Sequence, residues 1–254
     1  MWRGLKASGL TVHREPPPGA DLRNPAAIET AAQRVVLREL LSRLRIGCVL
    51  DVGAHEGGYG QLLRDIGYAG EIVSLEPVDE PFAVLEGRAR LDPRWRVHKL
   101  ALGERTESLP LNVTRERNFS SFLRPAAHAV ERFPGGPQVE RREYVPVVPL
   151  AEVFDELTAH VPSSRAFLKV DTQGFDDRVL RGAGDRLEGI DGLQLELSLR
   201  PLYEGQPTLE EGLSRARELG FEPVHLAPVA RDERLRLIEV DCLMVRERAG
   251  EAGA

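Results

Sequence analysis

Apolar residues recur along this chain in two rhythms, a helical one of about 3.6 residues and short, nearly unbroken runs, and the two alternate. Over 27–45, Leu37, Leu40, Leu41 and Leu44 fall at i, i+3, i+4 and i+7, the stripe of an amphipathic helix. "CVLDVG" (48–53) then reads as a buried strand and "GGYGQLLRDIG" (57–67) as a helix. A strand over 71–77, a helix over 81–91 and a strand over 95–103 follow. The rhythm resumes with a strand at 165–174, a helix at 175–187, a strand at 192–199 and a helix at 208–219. Strand and helix alternating at this spacing predict a parallel sheet with right-handed crossovers and helices on both faces. The last two strands, 221–229 and 235–247, are separated only by "ARDER", too short for a helix. They are expected to pair as a hairpin, adding an antiparallel strand to the sheet.

The interruptions are as informative as the rhythm. Residues 1–26 are polar and proline-rich ("REPPPGADLRNP") and read as a loosely packed arm, and 249–254 as a flexible tail. Residues 108–118 look extended, 119–138 look mobile with a weak helix, and "YVPVVPL" (144–150) is extended. Pro146 and Pro149 restrict that last run to an edge strand or a strand end. The chain therefore divides into an arm, one domain over 27–248 and the tail, with 108–150 as an insertion between the third and fourth parallel strands. That insertion must cross the carboxyl edge of the sheet, the position of a lid. No internal repeat and no tandem-domain linker is apparent.

Composition narrows the classes. The 254 residues, 42% of them hydrophobic, suffice for one large α/β core. A formal charge of −6 supplies no basic field to attract nucleic acid or an anionic membrane. No apolar run approaches the length needed to span a bilayer, and the N-terminus lacks the apolar segment of a secretory signal. Cys48 and Cys242 both sit inside apolar strand-like runs and read as core residues of a reducing compartment. A cytoplasmic enzyme is the expectation. The composition does not fix an oligomeric state, and a homodimer is compatible with it.

"VLDVGAHEGGYG" (49–60) raises the chemical question, because four glycines follow a strand that ends in an acid. The dinucleotide fingerprint G-x-G-x-x-G fails, since His55 occupies the place of its second glycine. A short-chain dehydrogenase would need Lys four residues after a Tyr, but Tyr59, Tyr68, Tyr144 and Tyr203 are followed there by Leu, Ile, Val and Pro. The phosphate-cradling G-x-x-x-x-G-K-[ST] loop is absent as well. What remains is Asp51 at the strand end, Gly53 for a tight turn, and Glu76 at the tip of the next strand. This suits S-adenosylmethionine (SAM): it carries no phosphate, and an acid such as Glu76 can accept both ribose hydroxyls. The plainer alternative is a tight strand-to-helix connection beside a solvated acid.

"VLDVGAHEGGYGQLLRDIGYAGEIVSLEP", "ALGE", "NFSSFL", "FLKVDTQGFDDRVLRGA" and "LQLELSLRPLYEGQP" follow one another in order, and together they resemble the FkbM family of SAM-dependent methyltransferases over about 46–247. The resemblance implies a Rossmann-like class I methyltransferase fold: α/β, with a seven-stranded, mostly parallel sheet and a final antiparallel hairpin. It implies O-methylation of a hydroxyl on a sugar, glycolipid or polyketide-type natural product. Carried onto this sequence, the SAM site comprises Asp51, Gly53, Ala54, His55, Gly57, Glu76, Pro77, Ala101 and Leu102. His55 stands where the family often has Asn.

Methyl transfer from a sulfonium is an in-line displacement, so it needs alignment and a base for the hydroxyl proton. Asp171, closing "FLKVD", is the leading base, because ligands in open α/β sheets collect at the carboxyl ends of the strands. Lys169, two residues earlier on the same strand face, is placed to orient Asp171 or hold a substrate oxygen. Glu196 is a third polar group in a segment that should be buried; Lys169 and Glu196 could equally form an ion pair across neighbouring strands. For the acceptor, Ser120, Ser121, Arg124, His128 and Gln173 are the candidates, with Phe119 and Phe122 as faces for a sugar ring. The alternative is that the phenylalanines pin the segment to the core and the serines cap a short helix. No His/Asp cluster has metal-ligand spacing, and Asp176 and Asp177 suit a helix start. The expected partner is a small-molecule or glycolipid acceptor, with no nucleic acid and no membrane insertion. A nucleic-acid methyltransferase would carry an Asn/Asp-Pro-Pro-aromatic run where this chain has "DTQG". A noncatalytic SAM-fold or carbohydrate-binding protein is the remaining rival.

Overall fold

The computed structural model describes residues 25–133, 137–161 and 165–246. The proposed arm, apart from its last two residues, and the tail lie outside the described residues, as do 134–136 of the "FPGGP" stretch. Seven strands form the main sheet: β1 (Cys48–Val52), β2 (Glu71–Leu75), β3 (Trp95–His98), β7 (Ala166–Val170), β8 (Ile190–Ser198), β9 (Phe221–Arg231) and β10 (Leu237–Arg246). Their order is β3-β2-β1-β7-β8-β10-β9. The first five run parallel, and β10 is antiparallel to both β8 and β9. The chain thus has the mostly parallel α/β sheet with a closing antiparallel hairpin that its pattern predicts.

Alternation along the strands sorts the helices into two layers. Val49, Ile72 and Phe167 meet α1 (Pro25–Arg43), α2 (Gly58–Asp65) and α3 (Asp79–Ala89) through Leu37, Leu63 and Leu85. Leu50, Val73 and Leu168 meet α5 (Leu150–Thr158), α6 (Asp176–Ala183) and α7 (Leu209–Glu218). Burial on both faces is why these strands read as continuous apolar runs. The helix α7 begins with a capping box, in which the Thr208 hydroxyl accepts from Glu211 N and the Glu211 carboxylate accepts from Thr208 N.

The insertion differs from its sequence reading. The run 95–103 is not one strand: β3 ends at His98, and Ala101–Leu102 is β4 of a second sheet, order β4-β6-β5. The extended stretches become β5 (Glu107–Thr114) and β6 (Val139–Val148), an antiparallel pair, with a short helix α4 (Ala127–Arg132) between them. Pro146 lies in β6, which is central rather than an edge. It is tolerated because β4 pairs only with Val147 and Val148, leaving that flank of Pro146 open. The helix α5 has no counterpart in the pattern reading; only Leu150 and Leu157 are fully buried in it, too few to make a conspicuous stripe. No helix among the described residues is long and apolar enough to cross a membrane.

Candidate active site

A cavity of about 390 Å³ opens at the carboxyl ends of β1, β2 and β7, bounded on its outer side by residues of the segment 117–122. Gly53 ends β1 at φ +76°, and a Cβ there would stand 1.9 Å from the Asp171 carbonyl oxygen. The β1 and β7 loops approach too closely for any side chain at that position. Gly57 serves packing instead: a Cβ there would press on Leu85 and Trp95, and it does not border the cavity, whereas Gly58 does.

Glu76 follows β2 and faces the cavity with its carboxylate fixed at both oxygens. Oε2 accepts from His55 N and Oε1 from Val78 N, each at 2.9 Å. Burial pushes its pKa up to about 7, although the two backbone N–H groups favour the ionised form. His55 sits at φ +48°, and its Nε2 is buried without a hydrogen-bond partner. Burial lowers the imidazole pKa, so it is largely neutral at pH 7. Ala54, Pro77, Ala101 and Leu102 complete this wall. Asp51 is not part of it, being fully buried beneath the turn.

That burial belongs to a polar row the sequence reading did not assemble. Ser74, Asp51, Lys169 and Gln194 occupy neighbouring positions across β2, β1, β7 and β8, and all four are buried. Trp95 Nε1 donates to Ser74 Oγ, which donates to Asp51 Oδ2 at 3.0 Å. Lys169 Nζ lies 3.1 Å from Asp51 Oδ1, as an ion pair rather than an aligned hydrogen bond, and donates to the Gly53 carbonyl at 3.1 Å. It also lies 3.5 Å from Asp171 Oδ2 and 5.4 Å from the centre of the Tyr59 ring. Burial alone would lower the pKa of this ammonium; the carboxylates of Asp51 and Asp171 outweigh that and hold it above its ordinary value. Lys169 borders the cavity, but Asp51, Asp171 and the Gly53 carbonyl already surround its ammonium. The expected cross-strand pair with Glu196 is absent, because Lys169 stands opposite Gln194 and turns toward β1. Burial keeps the Tyr59 phenol protonated, and it donates to Gln194 Oε1 at 2.8 Å.

Asp171 lies at the cavity wall with a third of its side chain accessible. Gln173 Nε2 donates to Asp171 Oδ1 at 2.9 Å and to Glu196 Oε2 at 3.2 Å. Glu196 is therefore linked to Asp171 through an amide rather than through Lys169. Burial first, and the Asp171 charge second, raise its pKa well above the ordinary carboxylate range. Asp176 begins α6 and accepts from both the amide and the hydroxyl of Thr172, each at 2.9 Å.

The outer wall is knitted together internally. Ser121 Oγ donates to the Gln173 carbonyl at 2.7 Å and accepts from Leu123 N. Ser120 Oγ accepts from Thr114 N at 3.2 Å. The serines do not cap α4, whose first turn has no side-chain cap. Phe122 packs against Phe175, ring centres 4.9 Å apart, and Phe119 against Phe133 at 5.5 Å. Asn118 and Arg117 border the cavity; the Arg117 guanidinium pairs with Glu140 and Glu80. Arg124 and His128 are exposed and outside the cavity, because α4 and the residues before it turn away toward the loop after β8.

The sequence profile of the Methyltransferase FkbM domain matches residues 51–223, more than half the chain. The chain belongs to the FkbM methyltransferase family. The match spans the Gly53 turn, Glu76, Lys169, Asp171 and Glu196, and methyl transfer is the family's chemistry. No curated protein matches the chain. Among solved structures, an uncharacterized protein from Listeria monocytogenes serotype 4b is similar at 10% identity and TM-score 0.45, over 84% of this chain and 68% of that one. Precorrin-6y C5,15-methyltransferase from Geobacter metallireducens GS-15 is similar at 13% identity and TM-score 0.41, over 85% and 88%. Ribosomal protein L11 methylase from Lactobacillus delbrueckii subsp. bulgaricus is similar at 11% and 0.41, over 85% and 79%.

Within this FkbM site, the residues that pattern reading missed are Tyr59, Ser74, Gln194, Asn118 and Asp241. Two of them had a signal. Like Asp51 and Lys169, Ser74 and Gln194 are polar residues flanked by apolar ones in a strand run, and parallel registers align such breaks. Asn118 had none, because its place depends on how the insertion folds back.

Proposed function

We propose that this FkbM protein is a SAM-dependent O-methyltransferase, acting in the cytoplasm on a hydroxyl of a sugar, glycolipid or polyketide-type natural product. The observation that carries the cofactor is Glu76: a buried carboxylate turned to the cavity, with each oxygen fixed by one backbone N–H and a lone pair left over. Two vicinal ribose hydroxyls fit that remaining capacity. Gly53 leaves the turn bare for close passage of the methionine part, and His55 Nε2 is a buried polar atom awaiting a partner. Bound there, SAM would supply an activated methyl group.

The chain's own part is alignment and proton removal. Asp171, anchored by Lys169 and Gln173, keeps accessible carboxylate surface toward the cavity and is positioned to take a proton from an acceptor hydroxyl. Phe122 on the outer wall and the amide of Asn118 favour a polyhydroxy acceptor with an apolar ring face. The net charge of −6 argues against a polyanionic acceptor such as nucleic acid. Titration calorimetry with SAM, followed by a methyl-release assay on a panel of sugar and glycolipid hydroxyls, tests the reading. SAM binding without turnover on any hydroxyl panel would support a noncatalytic SAM-fold protein instead; no SAM binding would remove the reading altogether.

A further inference from the structure

Gln173 borders the cavity, yet its polar groups are committed to the protein. It adopts φ +53°, a left-handed conformation that non-glycine residues rarely take, with Gly174 following at φ +86°. Its amide is nearly saturated from within the protein. Nε2 donates to two carboxylates, Asp171 Oδ1 at 2.9 Å and Glu196 Oε2 at 3.2 Å. Oε1 lies 2.8 Å from the hydroxyl of Tyr203, a residue only 2% exposed in the loop after β8. The backbone carbonyl of Gln173 accepts from Ser121. An amide has two donors and one acceptor group, so a neighbour that can only accept and a neighbour that can donate fix which way it faces. Here the Asp171 carboxylate demands the NH₂ side, and the Tyr203 hydroxyl donates to the oxygen. A flipped amide would set Oε1 against the Asp171 carboxylate and its NH₂ against a hydroxyl that now donates.

We propose that Gln173 is a positioning residue that holds the Asp171 carboxylate in its reactive orientation, and that Tyr203 holds Gln173. The inference rests on Asp171 acting as the base, but it concerns only how that carboxylate is held. Lys169 lies toward Asp171 Oδ2 and Gln173 bonds Oδ1, so the two fix the plane of the carboxylate from opposite ends. Neither alone does so, since a lysine ammonium is a point charge without directional preference for one rotamer. The Tyr203 hydroxyl also lies 3.1 Å from the Phe119 carbonyl of the outer wall. One phenolic proton thus serves two acceptors, the amide that holds the base and the segment that covers it.

Two measurements decide the matter. In protein carrying 15N in its glutamine side chains and free of any ligand, the Gln173 NH₂ resonances, assigned by their loss in Gln173→Met, should exchange at least about tenfold more slowly than those of exposed Gln61. In Tyr203→Phe that protection should fall toward the Gln61 value. Equal exchange for Gln173 and Gln61 in the wild type would overturn the proposal, whether or not SAM binds. In methyl transfer to whichever hydroxyl the acceptor panel identifies, Gln173→Met should lower kcat by about 10–100-fold with SAM affinity and acceptor KM unchanged. Tyr203→Phe should follow in the same direction by a smaller factor. A raised acceptor KM with unchanged kcat would make Gln173 a substrate contact and refute the positioning role.

Discussion

The inner and outer walls of the cavity solve opposite problems. On the inner wall, polar groups are fixed by the protein yet keep hydrogen-bonding capacity for a ligand: Glu76 accepts one N–H at each oxygen, and His55 Nε2 is unpartnered. On the outer wall, the polar groups largely satisfy one another. Ser121 bonds Gln173 and Leu123, Ser120 bonds Thr114, and the Asn112 amide bonds the Ser121 and Leu123 carbonyls. Unmet capacity is a better mark of a binding wall than polarity, because a bonded hydroxyl would have to give up a partner to gain one. Asp171 stands where the walls meet, and the contrast is sharpest there.

Asp171→Asn offers the largest effect. It leaves the shape of the junction and removes the proposed base, so turnover is expected to fall by about 10²–10⁴ with SAM affinity nearly unchanged. Parallel loss of SAM affinity in calorimetry would move Asp171 to the inner wall.

Lys169→Met breaks the floor beneath both walls. It leaves Asp51, which has no exposed surface, without its counter-charge. Removing one partner of a buried pair costs about 3–5 kcal/mol, measurable by urea denaturation. A loss below about 1 kcal/mol would mean that the row tolerates an uncompensated carboxylate.

Glu76→Ala tests the inner wall alone. If both ribose hydroxyls bond the carboxylate, SAM should bind more weakly by about 2–4 kcal/mol, roughly 30- to 1000-fold. Unchanged affinity in a folded variant would remove the ribose assignment.

The inner wall was also the more legible in sequence, and the reason is locality. Gly53, His55 and Glu76 lie within 24 residues, on two strands joined by one helix, so a pattern of strand ends locates them. The parallel sheet and its closing hairpin were legible for the same reason. The outer wall depends on β6 returning to pair with β5 some 30 residues away and on a switch between sheets at Lys99–Leu100, neither of which leaves a local signature. Arg124 and His128 illustrate this. Their side chains suit an acceptor, but the chain has already turned away from the cavity when it reaches them. The polar row lies between these cases, visible as single breaks but assembled only by register.

A smaller effect concerns protons. Burial raises the Glu76 pKa to about 7, so the ligand-free carboxyl is mostly protonated at pH 6 and mostly ionised at pH 8. Hydroxyl donors favour the ionised form, so SAM should bind with release of a proton and its affinity should rise with pH. A fall from about 7 to near the ordinary glutamate value gives about a tenfold gain between pH 6 and pH 8. Burial lowers the His55 pKa, which moves its titration toward the acid side of this window. The sign for stability is opposite: a raised carboxyl pKa favours the ligand-free fold below about pH 4.5, and that contribution is lost as pH rises through about 7. Calorimetry in two buffers of different ionisation enthalpy reads the released proton directly, and pH-independent affinity would contradict the assignment.

The smallest effects on ligand binding are expected on the outer wall, and they complete the contrast. Ser121 is 1% exposed, and its hydroxyl joins the cover segment to the β7 loop. Ser121→Ala removes one donated and one accepted bond at a buried site, for a loss of about 1–2 kcal/mol of stability. SAM affinity should stay within about twofold, since no inner-wall group changes partner. Arg124→Ala removes an exposed side chain outside the cavity and should alter neither stability nor acceptor KM by a measurable amount. The informative pair is Ser121→Ala against Asn118→Ala. Asn118 is exposed at the cavity rim, so its loss should raise acceptor KM while leaving the melting temperature near the wild-type value. If Ser121→Ala raised acceptor KM and kept full stability, its hydroxyl would be turning from Gln173 to the substrate, and the outer wall would be as open to ligand as the inner one.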